Sequence, residues 1–343
     1  MKVIRSRAPL RLGLAGGGSD VSPYSDKFGG NILNVTISLY SYCTIESINE
    51  NEIIIDSVDL KETEFFPNGI KHFKLNGKLD LIKQVLNHLL DNKYISEFSS
   101  FKLTSYCDAP PGSGLGTSST MVVAVLKAIF EWKNLSFNEY DLAHMAYLIE
   151  RKDLGLAGGK QDQYSAAFGG FNFIEFHKNN SVLVNPLRIK KWIINELSNS
   201  MLIFNLGSSR SSAKIINEQK KSISKNNESL EAMHQIKSHA KKMKEYLLKG
   251  EFQKISDLLN LSWEMKKKLS NKVSNERINK VYSKALECGA KSGKISGAGG
   301  GGTLMLIINP TKKNKIISEL EKMNCKHLDF VFTTSGCYSW KIK

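Results

Sequence analysis

The fold of this chain is indicated most directly by one glycine-rich run, Pro110-Pro111-Gly112-Ser113-Gly114-Leu115-Gly116-Thr117-Ser118-Ser119. The run follows a strand candidate, Phe101 to Cys107, and precedes an apolar segment of helical spacing, Met121 to Phe130. Glycines allow backbone N–H groups to approach an anion closely, and the start of a helix adds a partial positive charge. We therefore predict a phosphate-binding loop, although it lacks the lysine of a Walker A loop. A plain strand-to-helix connection is the alternative.

A buried carboxylate is predicted at the end of a later helix, Tyr140 to Glu150. Glu150 follows Ala143 by seven residues and Ala146 by four, which places it on the apolar stripe of that helix. A buried carboxylate requires a cation. Arg151 should face another direction on a helix, so a metal ion or a distant base is the expected partner. The alternative is a glutamate at the edge of the stripe that reaches solvent.

A second carboxylate, Asp162, follows the pair Gly158-Gly159 and stands at the start of a predicted short helix. N-capping is the ordinary role of an aspartate at this place. The start of a helix also keeps a carboxylate ionised, as a proton acceptor requires. Lys160, two positions earlier, would either steady phosphate charge or lie in water.

Two more glycine runs lie at the two ends of the sequence. Lys294 to Gly302 contains the pattern Gly-x-Gly-x-x-Gly, but Thr303 to Ile308 is predicted to be a strand, which excludes a dinucleotide site. This run is expected to be a flexible loop against a ligand or a tight turn. In Arg7 to Asp20, successive backbone amides would form an anion-binding nest, and Asp20 would accept hydrogen bonds from sugar hydroxyls.

The pattern of predicted strands and helices changes near Ile189. Before it, strands and helices predict a mixed α/β body. After it, Met201 to Leu206 is predicted to be a strand, and lysine-rich helices cover Ala213 to Leu248 and Phe252 to Leu269. Later strands include Leu328 to Thr333. This layout predicts an α+β second domain, with residues 1–189 and 190–343 as the two domains.

Taken in order, these motifs resemble those of the GHMP small-molecule kinases, which include galactokinase, homoserine kinase and mevalonate kinase. Ala8-Pro9-Leu10-Arg11 resembles the N-terminal motif of that family, Pro111 to Ser119 its phosphate loop, and Gly297 to Gly302 its C-terminal glycine motif. The resemblance implies an α+β GHMP kinase fold with an S5-like N-terminal α/β domain and a ferredoxin-like C-terminal domain. It also implies that ATP and Mg²⁺ bind between the domains.

The same resemblance implies roles for individual residues. Ser118 and Glu150 would bind Mg²⁺, and Pro111 to Ser119 would bind the nucleotide. Asp162 would be the base that faces the acceptor hydroxyl, with Arg11 near the reacting oxygen and Lys160 assisting. The residues expected to bind the acceptor are Arg7, Gly16, Gly17, Gly18, Ser19, Asp20, Gly159, Gln161, Arg210, Gly297, Ala298 and Gly299.

Within the family, three segments resemble the branch that phosphorylates the anomeric hydroxyl of D-glycero-D-manno-heptose 7-phosphate. They are Leu10 to Tyr24, Gly159 to Gly170, and Arg210 to Ala213. Such enzymes make the 1,7-bisphosphate on the way to nucleotide-activated heptose for surface polysaccharide. Gly17-Gly18 stands where galactokinases carry Glu-His, which argues against galactose. The alternatives are a fucokinase-like anomeric sugar kinase, a non-catalytic relative that binds sugar or ATP, and a decarboxylase of a mevalonate derivative.

Composition narrows the class of partner. The 343 residues carry 48 Lys and Arg against 33 Asp and Glu, a formal charge of +15, yet only seven are arginine. This favours solvated lysine faces and a small anionic substrate over nucleic acid. Five cysteines without a Cys-x-x-Cys pair predict buried thiols rather than disulfides or zinc. Without an 18-residue apolar stretch, no membrane partner is expected, and the cytoplasm is the expected location. The oligomeric state stays open, with a homodimer among the options.

Overall fold

The structure, a computed structural model, describes residues 2–207 and 212–342. Its strands are β1 (Val3–Ala15), β2 (Gly30–Ser47), β3 (Glu52–Ser57), β4 (Glu62–Pro67), β5 (Phe101–Cys107), β6 (Phe171–Phe176), β7 (Val182–Pro186), β8 (Met201–Asn205), β9 (Ala290–Ile295), β10 (Thr303–Ile308), β11 (Lys326–His327) and β12 (Tyr338–Ile342). Its helices are α1 (Tyr24–Phe28), α2 (Asp80–Asp91), α3 (Thr117–Lys133), α4 (Glu139–Leu148), α5 (Gln161–Phe168), α6 (Lys191–Asn199), α7 (Ser212–Lys225), α8 (Asn227–Lys249), α9 (Phe252–Lys267), α10 (Glu276–Glu287) and α11 (Lys313–Glu321). A π-helical turn, Ile149–Asp153, follows α4, and a 3₁₀ turn, Pro310–Lys312, precedes α11.

The first sheet has the strand order β12-β1-β2-β5-β3-β4 within the described residues, with β6 on the far half of β2 and β7 on β6. Strand β2 is long enough to pair with β1, β5 and β6. Helix α3 packs on β1 and β2. Its apolar side chains Val123 and Ile129 are fully buried together with Ile4 and Ile45 of the strands. This packing fixes the start of α3, and with it the end of the glycine-rich loop.

The second sheet has the order β11-β8-β10-β9 and is antiparallel throughout its described strands. Helices α9 and α10 pack on β9, and α8 packs on β1 and β2 of the first sheet. A single apolar cluster therefore joins the two sheets, with Leu10 and Leu33 on one side and Ile203 and Met305 on the other. The shared core holds the two halves of the chain against one another.

The structure confirms most of the predicted elements, and the differences have physical causes. Strand β1 runs to Ala15, with irregular register at Pro9/Arg11, because its inner residues are covered by the second half of the chain. The predicted helix Ala213 to Leu248 is split, since the Asn226 side chain caps a new helix through the Glu228 N–H. The predicted strand Leu328 to Thr333 is wrong: only an isolated bridge between Ile37 and Phe332 forms in that segment.

Strand β12 is the main departure from a simple division at residue 189. It pairs antiparallel with β1, from Val3 opposite Ile342 to Arg7 opposite Tyr338. A segment from the second half of the sequence therefore completes the edge of the first sheet. No helix in the described ranges is both long enough and apolar enough to cross a bilayer. Four of the five cysteines are buried free thiols, as predicted.

Candidate active site

The glycine-rich loop connects β5 to α3, as predicted, and helix α3 begins at Thr117. Gly112, Gly114 and Gly116 all have positive φ, at 79°, 76° and 84°, a backbone conformation that other residues rarely adopt. A Cβ atom on Gly114 would lie 2.5 Å from the carbonyl oxygen of Ser296. The glycines therefore serve both the curvature of the loop and its close contact with the second half of the chain.

The C-terminal glycine run lies directly against this loop. It leads from β9 into β10, which confirms that a strand rather than a helix follows. A Cβ on Gly302 would come within 2.6 Å of the Ser113 carbonyl oxygen, and one on Gly297 within 2.9 Å of the Gly114 Cα. The hydroxyl of Ser296 donates to the Gly114 carbonyl at 3.0 Å. The two runs form one double-layered backbone platform.

Arg11 and Asp162 form an ion pair beside this platform, in which the arginine is buried and the aspartate is partly exposed. The Nε and Nη2 atoms of Arg11 lie 2.8 and 2.7 Å from Oδ1 of Asp162. Nη1 donates to the Gly114 carbonyl at 2.7 Å, which ties the guanidinium to the loop. Both contacts from Arg11 use Oδ1 of Asp162. Among the oxygens of this described carboxylate, Oδ2 is therefore the one available to a substrate hydroxyl.

Glu150 is completely buried, as its position on the apolar stripe predicted. Its Oε1 accepts a hydrogen bond from the Ser118 hydroxyl at 3.1 Å, and Gln163 Nε2 donates to Oε2. The expectation that Arg151 faces elsewhere is wrong, since its Nη1 lies 3.4 Å from Glu150 Oε1. Arg151 therefore supplies part of the positive charge that the Glu150 carboxylate requires.

The π-helical turn Ile149–Asp153 explains the position of Arg151. The turn begins where α4 ends, so the residue spacing of an ordinary α-helix no longer applies there. The Arg151 side chain folds back, and its Nε donates to the Gly159 carbonyl at 3.2 Å. A Cβ on Gly158 would lie 2.4 Å from the guanidinium carbon. Glycine at 158 therefore makes room for the arginine.

Asp20 holds the start of α5 instead of facing the cleft. Its Oδ2 accepts hydrogen bonds from the backbone N–H groups of Lys160 at 2.9 Å and Gln161 at 3.0 Å. A Cβ on Gly159 would come within 1.9 Å of the same oxygen. Burial raises the pKa of Asp20, the Gln161 N–H opposes that shift, and the charge of Asp162 adds to it. The N-cap role predicted for Asp162 therefore belongs to Asp20.

Lys160 and Arg7 direct their side chains away from the cleft, which corrects their predicted roles. The Lys160 ammonium donates to Asn180 Oδ1 at 3.1 Å and lies over the Tyr147 ring. The Arg7 guanidinium stacks between Tyr40 and Tyr338 at 4.4 and 4.8 Å from the ring centroids. Aromatic neighbours satisfy these cations on other faces of the fold.

A cleft of about 280 Å³ opens between these groups. The predicted residues that line it are Arg11, Gly17, Gly18, Gly112, Gly114, Gly116, Thr117, Ser118, Ser119, Glu150, Gly159, Gln161, Asp162, Gly297 and Ala298. Other predicted residues support its walls from behind. The Ser19 hydroxyl donates to the Asn31 carbonyl, and added Cβ atoms on Gly16 and Gly299 would meet backbone. Arg210 lies outside the described residues.

Sequence reasoning missed Lys266, which also lines the cleft. Its ammonium donates to the Gly297 carbonyl, and burial lowers its pKa to about 8, with the charge of Arg11 adding to the shift. Most lysines near Lys266 in the sequence face solvent, so the burial of Lys266 was not predicted. The signal was its spacing: Lys266 follows Trp263 by three residues and Leu259 by seven, and both of these are buried on α9.

The Ser118 hydroxyl and the Glu150 carboxylate fit a Mg²⁺ ion that is also bound by substrate phosphates. They are too few to hold a metal ion by protein side chains alone. Within the described residues, no group of three or more His, Cys, Asp or Glu side chains could hold an ion. Mg²⁺ is usually bound by one or two carboxylates together with substrate phosphates and water. One buried carboxylate and one hydroxyl beside a phosphate-type loop match that pattern.

Comparisons with known proteins agree with this geometry. Residues 80–170 match the model of the GHMP kinases N terminal domain, and residues 243–325 match that of the GHMP kinases C terminal domain. The chain is 48% identical over its whole length to all of the D-glycero-alpha-D-manno-heptose 7-phosphate kinase of Campylobacter jejuni. It superimposes with a TM-score of 0.84 on a solved D-glycero-D-manno-heptose 1-phosphate kinase of Bacteroides thetaiotaomicron, 44% identical, with 99% of each chain covered. The bifunctional fucokinase/GDP-fucose pyrophosphorylase of Arabidopsis thaliana is 26% identical over 97% of this chain and 32% of that protein.

Proposed function

The chain belongs to the GHMP kinases, and from that premise we propose that it phosphorylates the anomeric hydroxyl of D-glycero-D-manno-heptose 7-phosphate with ATP. The observation that carries the proposal is the cleft itself, where the Arg11–Asp162 pair and the Ser118–Glu150 pair flank one phosphate-type loop. The substrate is proposed from the identity of 48% to a kinase named for that sugar phosphate. The product is the heptose 1,7-bisphosphate.

On the donor side, the chain positions phosphate and neutralises its charge. The loop from Pro111 to Ser119 presents backbone amides at the start of α3, which favours the phosphates of ATP. Ser118 and Glu150 are proposed to hold Mg²⁺, which when bound would neutralise charge on the transferred group. Arg151, 3.4 Å from Glu150, adds a fixed positive charge at the same end of the cleft. Catalysis of phosphoryl transfer rests mainly on such positioning and charge stabilisation.

On the acceptor side, Asp162 is proposed to take the proton of the sugar hydroxyl on Oδ2. Arg11 fixes the carboxylate through Oδ1, so the free oxygen points at one place. As the O–H bond breaks, the hydroxyl oxygen forms a bond to the γ-phosphorus. The bond from that phosphorus to the β–γ bridging oxygen breaks, and its electron pair leaves with ADP. The proton stays on Asp162 until it exchanges with solvent.

A second candidate substrate is favoured by one comparison. The solved relative at 44% identity is named a heptose 1-phosphate kinase, which would place a different hydroxyl of the sugar at Asp162. The two substrates carry their phosphate at opposite ends of the sugar. They are therefore distinguished by the acceptor that is consumed and by the position of the new phosphate.

The test is ATP turnover with Mg²⁺ on a panel of acceptors: heptose 7-phosphate, heptose 1-phosphate, mannose 6-phosphate, fucose, galactose and mevalonate. We expect selective turnover of heptose 7-phosphate, with the new phosphate located at C1 by ³¹P NMR. D162N should lower kcat by about 10²-fold or more, because general-base catalysis typically contributes that much. D329N, which changes an exposed carboxylate, is the matched control. Selective turnover of heptose 1-phosphate or of a neutral sugar would reject the proposed substrate and keep the kinase.

A further inference from the structure

Two buried lysines lie at the side of the cleft that the second half of the chain supplies. Lys266 on α9 and Lys294 on β9 are only 7% and 6% exposed. The Lys266 ammonium donates to the Gly297 carbonyl, and that of Lys294 donates to the Leu14 carbonyl at 3.1 Å. Neither forms an ion pair with a side chain in the part of the chain that the structure describes.

The carboxylates near Lys266 are already engaged. Lys266 and Arg11 lie near Asp20 and Asp162, whereas burial lowers the pKa of Lys294 well below its usual value. Asp162 pairs with Arg11, and Asp20 is occupied by backbone N–H groups at the start of α5. Lys266 therefore has no side-chain counter-ion among the described residues, and because a buried charge without one is costly, an anion bound in the cleft would stabilise it.

Lys266 is the member of the pair of lysines that reaches the cleft. It lies in the last turn of α9, on the buried stripe that also holds Trp263, so its stem is fixed in the core. On the same wall, Gln219 donates to the Ala298 carbonyl at 3.1 Å. The acceptor of Lys266, Gly297, packs on Gly114. The Gly114 carbonyl also accepts from Arg11, the partner of Asp162. Ser118 and Glu150 contact each other at the metal end. Lys266 thus belongs to the acceptor end of the cleft.

We propose that the Lys266 ammonium binds the phosphate that the acceptor already carries, so that this residue makes the enzyme prefer a sugar phosphate to a neutral sugar. The inference rests on the proposed function, because it assigns one contact within that substrate. A lysine suits this task as a compact point charge for a phosphate monoester. Arg7, which was expected to help bind the acceptor, lies outside the cleft and does not provide this charge.

The test compares variants of the full chain in steady-state kinetics. K266Q keeps a hydrogen-bond donor for the Gly297 carbonyl but removes the charge, and K266R restores a charge. We expect K266Q to raise KM for heptose 7-phosphate by about 10- to 100-fold, since a lost charged contact weakens binding on that scale. KM for ATP should stay within about twofold and kcat should fall much less. K266R should recover most of the loss, and K267M, which changes the exposed neighbour, should match the unmodified enzyme.

Several results would overturn the inference. If K266Q raises KM for ATP as much as KM for the sugar phosphate, the ammonium serves the nucleotide. If K266Q leaves KM for the sugar phosphate unchanged, or if K266R is as defective as K266Q, the role is structural. K266M provides a second charge-free variant, judged by the same ratio of KM values, should K266Q fold poorly. Absence of turnover of any phosphorylated sugar by the unmodified enzyme would overturn the proposed function as well as this inference.

Discussion

Arg11 joins four parts of the molecule through a single guanidinium. It stands on β1, contacts Asp162 on α5, donates to the Gly114 carbonyl in the phosphate loop, and lies 3.3 Å from the Ser296 hydroxyl. The planar fork of an arginine can satisfy several acceptors at fixed angles, which a lysine cannot do. The position of the proposed base is thus coupled to the position of the proposed phosphate site.

The first residue-level prediction concerns the metal. E150Q keeps the size of the side chain and one oxygen that can accept from Gln163 Nε2, but it removes a negative charge. We expect the Mg²⁺ concentration for half-maximal activity to rise by about 10-fold or more, as loss of a group that tunes a metal site typically does. Titration of initial rate against Mg²⁺ at saturating substrates measures this. E139Q, at the exposed start of α4, should behave like the unmodified enzyme. An unchanged Mg²⁺ requirement in E150Q would remove Glu150 from the metal site.

The second residue-level prediction concerns the pH dependence of kcat/KM for the sugar phosphate. Burial lowers the pKa of Lys266 to about 8, with Arg11 adding to that shift and Asp20 opposing it. Lys294 faces the same group, and burial lowers its own pKa further. Because only the protonated amine attracts phosphate, kcat/KM for the sugar phosphate should fall as pH rises through about 8. The profile of K266R should stay flat in this range, since arginine keeps its charge. Matching profiles for the two enzymes would contradict the assignment.

Several site residues were predictable because short-range sequence patterns indicate their positions. Glycine spacing indicated the phosphate loop, and the helical stripe placed Glu150 in the core. Arg151 was not predictable, because a π-helical turn changes the direction of its side chain. Lys160 was assigned to the cleft because it is adjacent to Gln161 and Asp162, yet neighbours on a short helix point in different directions.

At the scale of elements, the start of α5 depends on a residue far away in the sequence. Asp20 accepts from the backbone N–H groups of Lys160 and Gln161, and glycine at 159 gives it room. Helix α5 carries Asp162 and Gln163, which contact Arg11 and Glu150. The cap therefore sets the orientation of Asp162 directly and supports Glu150 through Gln163.

We predict that G159A destabilises the protein and misplaces α5. The new Cβ would lie 1.9 Å from Asp20 Oδ2, and overpacking of this kind costs about 1–3 kcal/mol. Chemical denaturation should show the loss, and kcat should fall with it. G13A is the control, because its Cβ would meet nothing closer than 3.8 Å. In a D20A background the same G159A change should cost much less, since the clashing oxygen is gone. An equal cost in both backgrounds would contradict the mechanism.

Elements with local signals were predicted well, and those that depend on distant partners were not. Helix α2 and strand β5 follow their apolar periodicity. Strand β9 was missed because Lys, Ser and Gly have low strand propensity, and its burial against β10 decides its structure. The segment Leu328 to Thr333 has strand-like composition, but its backbone hydrogen bonds are divided between β8 at Leu328 and β2 at Val331 and Thr333, so it forms an isolated bridge and no continuous strand.

At the scale of the whole molecule, one apolar cluster joins the two sheets and β12 ties the second half of the chain to the first. The sequence indicated two domains with their boundary near residue 189. It contained no signal that Tyr338–Ile342 would pair with β1, because strand pairing over such a separation leaves no local pattern. The lysine excess was correctly assigned to solvent at most positions. The buried exceptions among the described residues are Lys83, Lys160, Lys266 and Lys294.

We predict that truncation after Cys337 weakens the whole fold. Removal of β12 leaves the edge of β1 unpaired and takes Tyr338 from the Arg7 stack. With backbone hydrogen bonds worth roughly 1 kcal/mol each, the free energy of unfolding should fall by about 2–5 kcal/mol. Denaturant titration measures this, and light scattering should detect association through the open edge. K341T, which keeps the strand, is the control. An unchanged free energy of unfolding in the truncated protein would show that β12 does not stabilise the sheet.

The pairing of β12 with β1 also affects how the protein is made. A ribosome synthesises β1 long before it reaches β12, whereas β2 follows β1 at once and can pair during translation. One edge of β1 therefore stays open while the helices and the second sheet are added, and an open edge is a template for pairing with other nascent chains. The first sheet can be completed only after residue 342 has left the exit tunnel. During synthesis, therefore, the risk of association between nascent chains is concentrated at β1 until the last strand has been added.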